Sequence, residues 1–257
     1  MVAIGAAVLI IIIGIFAAIG LNRGNPTATP TAGSAYAQTM QNVPAASLDA
    51  VGVGVAKNTS QTIPNGQPDI KDGKPRLLYI GAEFCPYCAI ERWPMVIALS
   101  RFGTWQGLQP ALSSPNEGKI SDIPTVTFQG ATYSSDYLTF EAIETADRMG
   151  TPIRAVPAAE QDLLNKYNPG TNGTSPIPWL YWGTAHQVGA SYDGTGFMPS
   201  VSGDTIAAKL GDATSPEAQG ILGAANIQTA QLCKLTKGQP ANVCTSAGVQ
   251  AAAQVVG

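Results

Sequence analysis

The chain has 257 residues, with 14 Lys and Arg, 17 Asp and Glu, one His and a formal net charge of −3. This balance argues against a nucleic-acid surface, because phosphate binding needs several clustered cations. The single His argues against most zinc and copper sites, which use several His or Cys ligands. We therefore predict no nucleic-acid partner, no metal and no cofactor. Hydrophobic residues form 45% of the chain, so it can bury a core, and its length predicts one domain, or one enlarged domain with an appendage.

Residues 1–21 are predicted to be a transmembrane anchor. Residues 2–21 carry no charge, and about 20 apolar residues in a helix span the roughly 30 Å hydrocarbon core of a bilayer. A cleaved signal peptide is the alternative, since residues 35–37 (Ala-Tyr-Ala) resemble a peptidase site. That site lies well beyond the apolar run, and the run is longer than a signal peptide needs. We expect an uncleaved, single-pass anchor in the lipid bilayer.

The domain is expected on the extracytoplasmic side of the cell membrane. The even number of four cysteines suits an oxidising compartment. Arg23 follows the apolar run and weakly opposes this orientation by the positive-inside rule. Residues 22–50 are predicted to be a flexible linker, because a Pro-, Thr-, Ala-, Ser- and Gly-rich composition buries too little apolar surface to order itself.

Residues 51–257 are predicted to form the folded domain. It begins with a small strand at residues 51–55, where Val and Gly alternate without the pattern of a phosphate-binding loop. Residues 75–84 form a continuous apolar run, which predicts a buried strand. The run leads directly into Cys-Pro-Tyr-Cys at residues 85–88, and apolar residues then recur at helical spacing over residues 89–101.

A Cys-x-x-Cys motif between a strand and a helix predicts a redox pair. The unpaired N–H groups and positive dipole end of a helix stabilise a thiolate. We therefore predict that Cys85 is the nucleophile, with an exposed sulfur, and that the more buried Cys88 resolves the mixed disulfide. Pro86 suits the first helical position because it has no N–H to leave unpaired.

Three other roles are open to this cysteine pair. A zinc site would need a second close pair, but Cys233 and Cys244 are separated by ten residues. A copper chaperone would need a nearby His, for which His186 is the candidate. The pair could also form a purely structural disulfide. The strand–motif–helix context favours the redox role over all three.

Longer stretches of the sequence carry a family resemblance. The arrangement of strand, Cys-Pro-Tyr-Cys and helix resembles the thioredoxin superfamily, in the glutaredoxin version of the motif. Residues 81–94 (GAEFCPYCAIERWP), 98–103 (ALSRFG) and 128–137 (FQGATYSSDY) resemble the family of membrane-anchored thioredoxin-like proteins called domain of unknown function nine-twenty-nine. This resemblance covers roughly residues 51–254 and brings no established substrate. It implies an α/β fold with a central mixed sheet flanked by helices, with insertions and a helical C-terminal extension.

The superfamily resemblance also implies a cis-proline at the start of a strand beside the cysteines. Ile177–Pro178 fits, because it follows a turn-rich segment and opens an apolar run, and cis bonds are common only before proline. Pro176 and Pro199 are the competing positions, and Pro178 could also simply start a strand. The backbone of Ile177 would then bind an extended substrate chain.

Further residues of the motif are candidates for the site. Tyr87 and Pro86 are predicted to contact substrate, although Tyr87 could merely shield the disulfide. Glu83 is a possible proton acceptor for Cys88, or simply an exposed carboxylate at a strand end.

The remaining chain is predicted to complete the fold. Strands are expected at 125–134 and 137–143, a helix at 158–167, and a hairpin of residues 179–182 and 187–192. The Ala-rich residues 201–254 are expected to be helical, with stops at three glycines, Gly211, Gly223 and Gly238. Cys233 and Cys244 are predicted to form a structural disulfide.

Together these features predict an extracytoplasmic, membrane-anchored thiol–disulfide oxidoreductase that acts on cysteines of exported proteins. Being anchored, it would need a membrane electron donor or acceptor. The alternative is a redox-inactive binding module or accessory subunit of a membrane complex, in which the cysteine pair is structural. Because the chain retains both cysteines and an Ile-Pro pair, we expect an enzyme.

Overall fold

The computed structural model describes residues 35–256. Its helices are α1 (Tyr36–Gln41), α2 (Ala45–Val51), α3 (Pro86–Ser100), α4 (Ala158–Tyr167), α5 (Gly203–Lys209), α6 (Pro216–Leu235), α7 (Ala241–Cys244) and α8 (Ala247–Val256). Its strands are β1 (Ser60–Thr62), β2 (Ile70–Lys71), β3 (Lys74–Gly81), β4 (Gly103–Gln106), β5 (Gln109–Leu112), β6 (Pro124–Thr127), β7 (Thr132–Ser135), β8 (Thr139–Glu144), β9 (Trp179–Tyr181) and β10 (Ala185–Val188). A short 3-10 helix spans Gly118–Ile120.

The central sheet is mixed, with strand order β1-β10-β9-β3-β2 and β8 on the other side of β3. β3 and β8 run parallel, from Arg76 opposite Thr139 to Gly81 opposite Glu144. β9 is antiparallel to β3, and β10 is antiparallel to β9. Two further antiparallel pairs, β4–β7 and β5–β6, lie outside this sheet. The predicted mixed α/β architecture, a central sheet flanked by helices, is confirmed.

The second half of the central strand β3, residues 77–81, is apolar because both of its faces are covered. Leu77 and Tyr79 point into the larger part of the core, which contains α3 and α6. Leu78 and Ile80 point into the opposite part, where Leu164 of α4 packs. A strand buried on both faces reads as a continuous apolar run rather than as an alternating one. The predicted helix at 158–167 coincides with α4.

The prediction of a flexible linker is wrong for its described part, because α1 and α2 belong to the core. Tyr36, Met40 and Leu48 are 4%, 0% and 1% exposed. Tyr36 also stacks on Trp93 of α3, with ring centroids 5.5 Å apart. A few well-spaced apolar side chains hold this segment in the core. The prediction failed because it relied on the average composition of the segment, which gives these side chains little weight. The predicted anchor of residues 1–21 lies outside the described residues.

Several predicted element boundaries also differ from the structure. The small strand predicted at residues 51–55 is absent: α2 ends at Val51, and Gly52 and Gly54 turn the chain at φ values of 60° and 52°. The strand predicted at 125–134 is two strands, β6 and β7. Gly223 does not stop a helix but lies inside α6, where an added Cβ would come within 2.2 Å of the Val53 carbonyl oxygen. The glycine therefore permits close packing rather than a helix end.

The C-terminal part is helical, as predicted, and contains α6, α7 and α8. Cys233 of α6 and Cys244 of α7 form a disulfide with a Cα–Cα distance of 5.6 Å, which confirms the predicted pairing. Within residues 35–256, no helix is both long and apolar enough to cross a membrane.

Candidate active site

Cys85 and Cys88 lie where β3 gives way to α3. Cys85 is the N-cap residue of α3, and the backbone N–H of Cys88 donates to its Sγ at 3.2 Å. Pro86 occupies the first helical position, as predicted. Both cysteines are free thiols, and their side chains differ in depth: Cys85 is 6% exposed and Cys88 is 0% exposed. The Cys85 sulfur is thus more covered than the sequence predicted, because it packs with Phe84 and Ile177.

The two thiols have opposite electrostatic environments. A hydrogen bond with the Cys88 side chain lowers the pKa of Cys85, and the backbone N–H of Cys88 and the charge of Arg92 act in the same direction against the effect of burial. Burial raises the pKa of Cys88 well above its usual value, and the hydrogen bond to Cys85 adds to this. Cys85 is therefore the thiol that ionises first.

A buried ion pair lies beside the cysteines, and the sequence did not reveal it. Arg92 of α3 donates to Glu144 through Nε at 3.0 Å and through Nη2 at 2.8 Å, and both residues are buried. Its Nη2 also donates to the Ala82 carbonyl oxygen at 3.0 Å, and its guanidinium lies 5.8 Å from the ring centroid of Tyr79. An arginine within the apolar residues 89–99 was the available signal.

Glu83 is not a simple exposed carboxylate. Thr127 of β6 donates to its Oε1, and its side chain is half-buried. The carboxylate whose charge affects the pKa of Cys88 is Glu144, and burial raises the pKa of Glu144 itself. The predicted role of Glu83 as a proton acceptor stays a prediction.

The peptide bond between Ile177 and Pro178 is cis and directly precedes β9. The Cys85 thiol donates to the Ile177 carbonyl oxygen, with Sγ and O separated by 3.8 Å. Within residues 35–256, the other cis bond is Gln239–Pro240, so the competing candidates Pro176 and Pro199 are not cis. The structure thus places the predicted Ile177–Pro178 pair against Cys85.

A groove of about 710 Å³ begins beside the cysteines. Tyr87, which is 47% exposed, and Ile177 line it at this end. Its further walls come from residues 55–59 and residues 188–195. No motif predicted this groove, because its walls come from segments separated by more than a hundred residues.

The surroundings of the single histidine are not those of a metal site. His186 of β10 is buried and accepts a hydrogen bond from the Trp179 indole N–H at 3.4 Å. Burial lowers its pKa. Among the described residues, no group of three or more His, Cys, Asp or Glu side chains is arranged to hold a metal ion.

Comparison with known proteins gives one match. Residues 64–234 match a family model with the description "Domain of unknown function (DUF929)". The matched segment includes the cysteine pair, Arg92, Glu144 and the cis-proline. Neither the curated proteins nor the solved structures include a match to the chain.

Proposed function

The chain belongs to the family described as Domain of unknown function (DUF929), a description that names no activity. From the geometry of the candidate site we propose that it is a thiol–disulfide oxidoreductase with a thioredoxin-like fold. The observation that carries the proposal is the position of Cys85. Its sulfur caps a helix, has a lowered pKa and contacts the carbonyl oxygen that precedes a cis-proline. The mixed sheet, with β3 leading into the motif and β9 beginning after Pro178, supports the fold.

The two cysteines would act in sequence. The Cys85 thiolate attacks one sulfur of a substrate disulfide, the substrate S–S bond breaks, and the other substrate sulfur leaves as a thiolate that takes up a proton from water. Cys88 then loses its proton, and its sulfur attacks Cys85 in the mixed disulfide. The second substrate thiolate leaves and takes up the proton that Cys88 released, and a Cys85–Cys88 disulfide remains. The substrate has gained two electrons and two protons. The cysteine pair has lost two electrons and two protons, one proton to water when Cys85 ionised and one from Cys88.

The same steps run in reverse when the oxidised pair accepts electrons from a substrate dithiol. Either direction requires that a second partner restore the pair, and for an anchored protein this partner is a membrane electron donor or acceptor. We propose exported proteins with cysteines as the substrates, since the predicted anchor and the Cys233–Cys244 disulfide suit an extracytoplasmic domain. The cis-bonded Ile177–Pro178 pair, Tyr87 and Pro86 would contact them.

Trapping of the mixed disulfide tests this proposal. In Cys88→Ala the resolving sulfur is missing, so covalent complexes should accumulate through Cys85 and should separate on reduction. Cys85→Ala should abolish both trapping and turnover, because it removes the attacking sulfur. The matched control is the Cys233→Ala/Cys244→Ala protein, which loses the other cysteine pair and should still turn over a model disulfide.

Turnover by the parent that does not exceed the uncatalysed rate, and so equals that of Cys85→Ala, would contradict the proposal. The chain would then be a redox-inactive binding module or an accessory subunit of a membrane complex. The equilibrium of the cysteine pair with glutathione, measured on the parent, gives its reduction potential and thereby the direction of the reaction.

A further inference from the structure

The groove adjoins the proposed reactive centre through two residues of its lining, Tyr87 and Ile177. Tyr87 lies between the two cysteines in the chain and lines the groove. Ile177 also lines the groove, while its carbonyl oxygen contacts the Cys85 thiol. When a substrate polypeptide places its sulfur at Cys85, the residues next to its reacting cysteine can therefore enter the groove.

One wall of the groove is held in place by hydrogen bonds, one of which is to a buried carboxylate. The Ser191 N–H donates to the Glu91 carboxylate at 2.8 Å, and the Ser191 carbonyl oxygen accepts from the Lys57 N–H at 2.9 Å. Gly189 N–H donates to the Pro178 carbonyl oxygen at 2.9 Å. Glu91 belongs to α3, so the wall is attached to the helix that carries the cysteines. A preformed groove loses little conformational freedom when a ligand binds.

The lining of the groove is mainly apolar, with one available cation. Val55, Val188 and Ala190 supply apolar surface. The Asp193 carboxylate already accepts from the N–H and the hydroxyl of Thr195, at 2.9 and 2.6 Å. Lys57 is the basic residue of the lining, it is exposed, and within residues 35–256 its ammonium forms no ion pair.

We propose that this groove binds the substrate segment next to the reacting cysteine and selects an apolar side chain together with an acidic one. The inference rests on the proposed oxidoreductase function and adds the substrate class to it. The apolar side chain would contact Val55, Val188 and Ala190, and the carboxylate would pair with Lys57. A groove of about 710 Å³ has room for several side chains, since pockets for whole small ligands measure about 300–1,000 Å³.

Peptide binding tests the groove without requiring catalysis. Fluorescent octapeptides with Ser in place of the reacting cysteine carry Leu-Asp, Leu-Lys, Ser-Asp or Ser-Lys beside it, and their Kd values for the full-length parent are measured. The Leu-Asp peptide should bind about tenfold more tightly than the Ser-Lys peptide. Equal affinity of the parent for all four peptides, or no binding, would overturn the inference.

Two variants on the exposed wall locate the binding site. Lys57→Glu should raise the Kd of the Leu-Asp peptide about tenfold and should make the Leu-Lys peptide the tighter ligand, because the substitution reverses the charge of the groove lining at residue 57. Val55→Ser should reduce the preference for Leu over Ser; Val55 is 64% exposed, so this variant removes no core contact. The matched control Lys209→Glu makes the same charge change on α5, outside the lining, and should leave all four Kd values unchanged. A Lys57→Glu protein with the parent's preferences would overturn the inference.

The proposed function is measured separately in the same preparations. Turnover of a small symmetrical disulfide, which has no flanking residues, reports on Cys85 and Cys88 of the parent. If the parent prefers the Leu-Asp peptide but does not turn over the small disulfide, the oxidoreductase proposal fails, and the proposal that the groove binds an apolar and acidic segment is retained. If it turns over the small disulfide but binds the four peptides equally, the groove proposal fails alone.

Discussion

At the scale of single residues, two identical thiols differ because of where the helix begins. Cys85 caps α3 and receives the Cys88 N–H, whereas Cys88 lies inside the core with 0% exposure. The charge of Arg92 favours the thiolate of both cysteines, but for Cys88 the effect of burial is larger. The proposed nucleophile and the proposed resolving residue thus differ in depth and in hydrogen bonding.

The rate of alkylation of Cys85 should report its lowered pKa. The pH midpoint of its reaction with iodoacetamide should lie below the roughly 8.5 of a free thiol. In Arg92→Gln/Glu144→Gln the midpoint should rise, because the guanidinium charge that favours the thiolate is gone. Both charges are removed together because a single substitution would leave the other charge buried and unpaired. An unchanged midpoint in the double variant would show that the ion pair does not act on Cys85.

Glu91 should make the stability of the protein depend on pH. It is fully buried, it accepts from Gln187, Ser191 and Gln228, and burial raises its pKa from 4.5 to about 7. A carboxyl whose pKa is higher in the folded than in the unfolded protein stabilises the fold fully below its unfolded pKa. That contribution, about 3 kcal/mol for a shift of this size, is lost as the pH rises from about 4.5 through about 7.

Urea unfolding of the parent and of Glu91→Gln at pH 5 and pH 8 measures this contribution. The parent should lose more unfolding free energy than the variant between these two values, since Gln does not titrate. Parallel losses in the two proteins would mean that Glu91 has an ordinary pKa in the folded state.

At the scale of elements, α3 positions the site. Its first residues carry the cysteines, Glu91 holds the wall of the groove through Ser191, and Arg92 connects the helix to the ends of β3 and β8 through Ala82 and Glu144. One helix therefore sets the relation between the thiols, the sheet and the groove. The sequence predicts the helix from its apolar spacing, and its polar residues acquire their roles only from the elements around it.

The disulfide between α6 and α7 should stabilise the C-terminal helices. It closes a short loop, with a sequence separation of 11, and in the chain-entropy account a loop near this size contributes about 3 kcal/mol. Cys233→Ala/Cys244→Ala should lower the unfolding free energy by about this amount in urea titrations. Peptide mapping of the parent without reductant provides the check, because alkylation of both cysteines under those conditions would contradict the bridge.

At the scale of the whole molecule, the predicted anchor and the described domain have to be connected through residues 22–34. At the first described residue the Ala35 N–H donates to Asp204 of α5 at 2.9 Å, so this end of the described chain is attached to the domain. Residues 35–50 of the predicted linker therefore belong to the domain. We propose that the domain lies at the outer face of the membrane.

Protease accessibility in intact cells tests this placement. Protease added outside should remove the domain from the membrane fraction, while a cytosolic marker protein stays intact. The cells must remain sealed for this comparison, which the marker verifies. Full protection of the domain together with its recovery in the soluble fraction would refute both the anchor and the orientation.

Some structural features of this protein are determined by the sequence alone, because the residue patterns that predict them are local. The apolar run of β3, the Cys-x-x-Cys at the start of α3 and the Cys233–Cys244 pair each follow from neighbouring residues and their spacing, whereas the cis-proline at Ile177–Pro178 is what the superfamily resemblance implied. For the same reason the helix at 158–167 was predicted with its observed bounds.

Other features were decided only by the tertiary structure. Arg92 meets Glu144 across 52 residues, and Glu91 meets Ser191 across 100. The helices α1 and α2, which composition predicted to be flexible, are ordered by contacts such as Tyr36 on Trp93. A carboxylate, an arginine or a tyrosine that finds its partner so far along the chain leaves no periodic or local pattern. Its burial and its role follow from the contact that the fold creates.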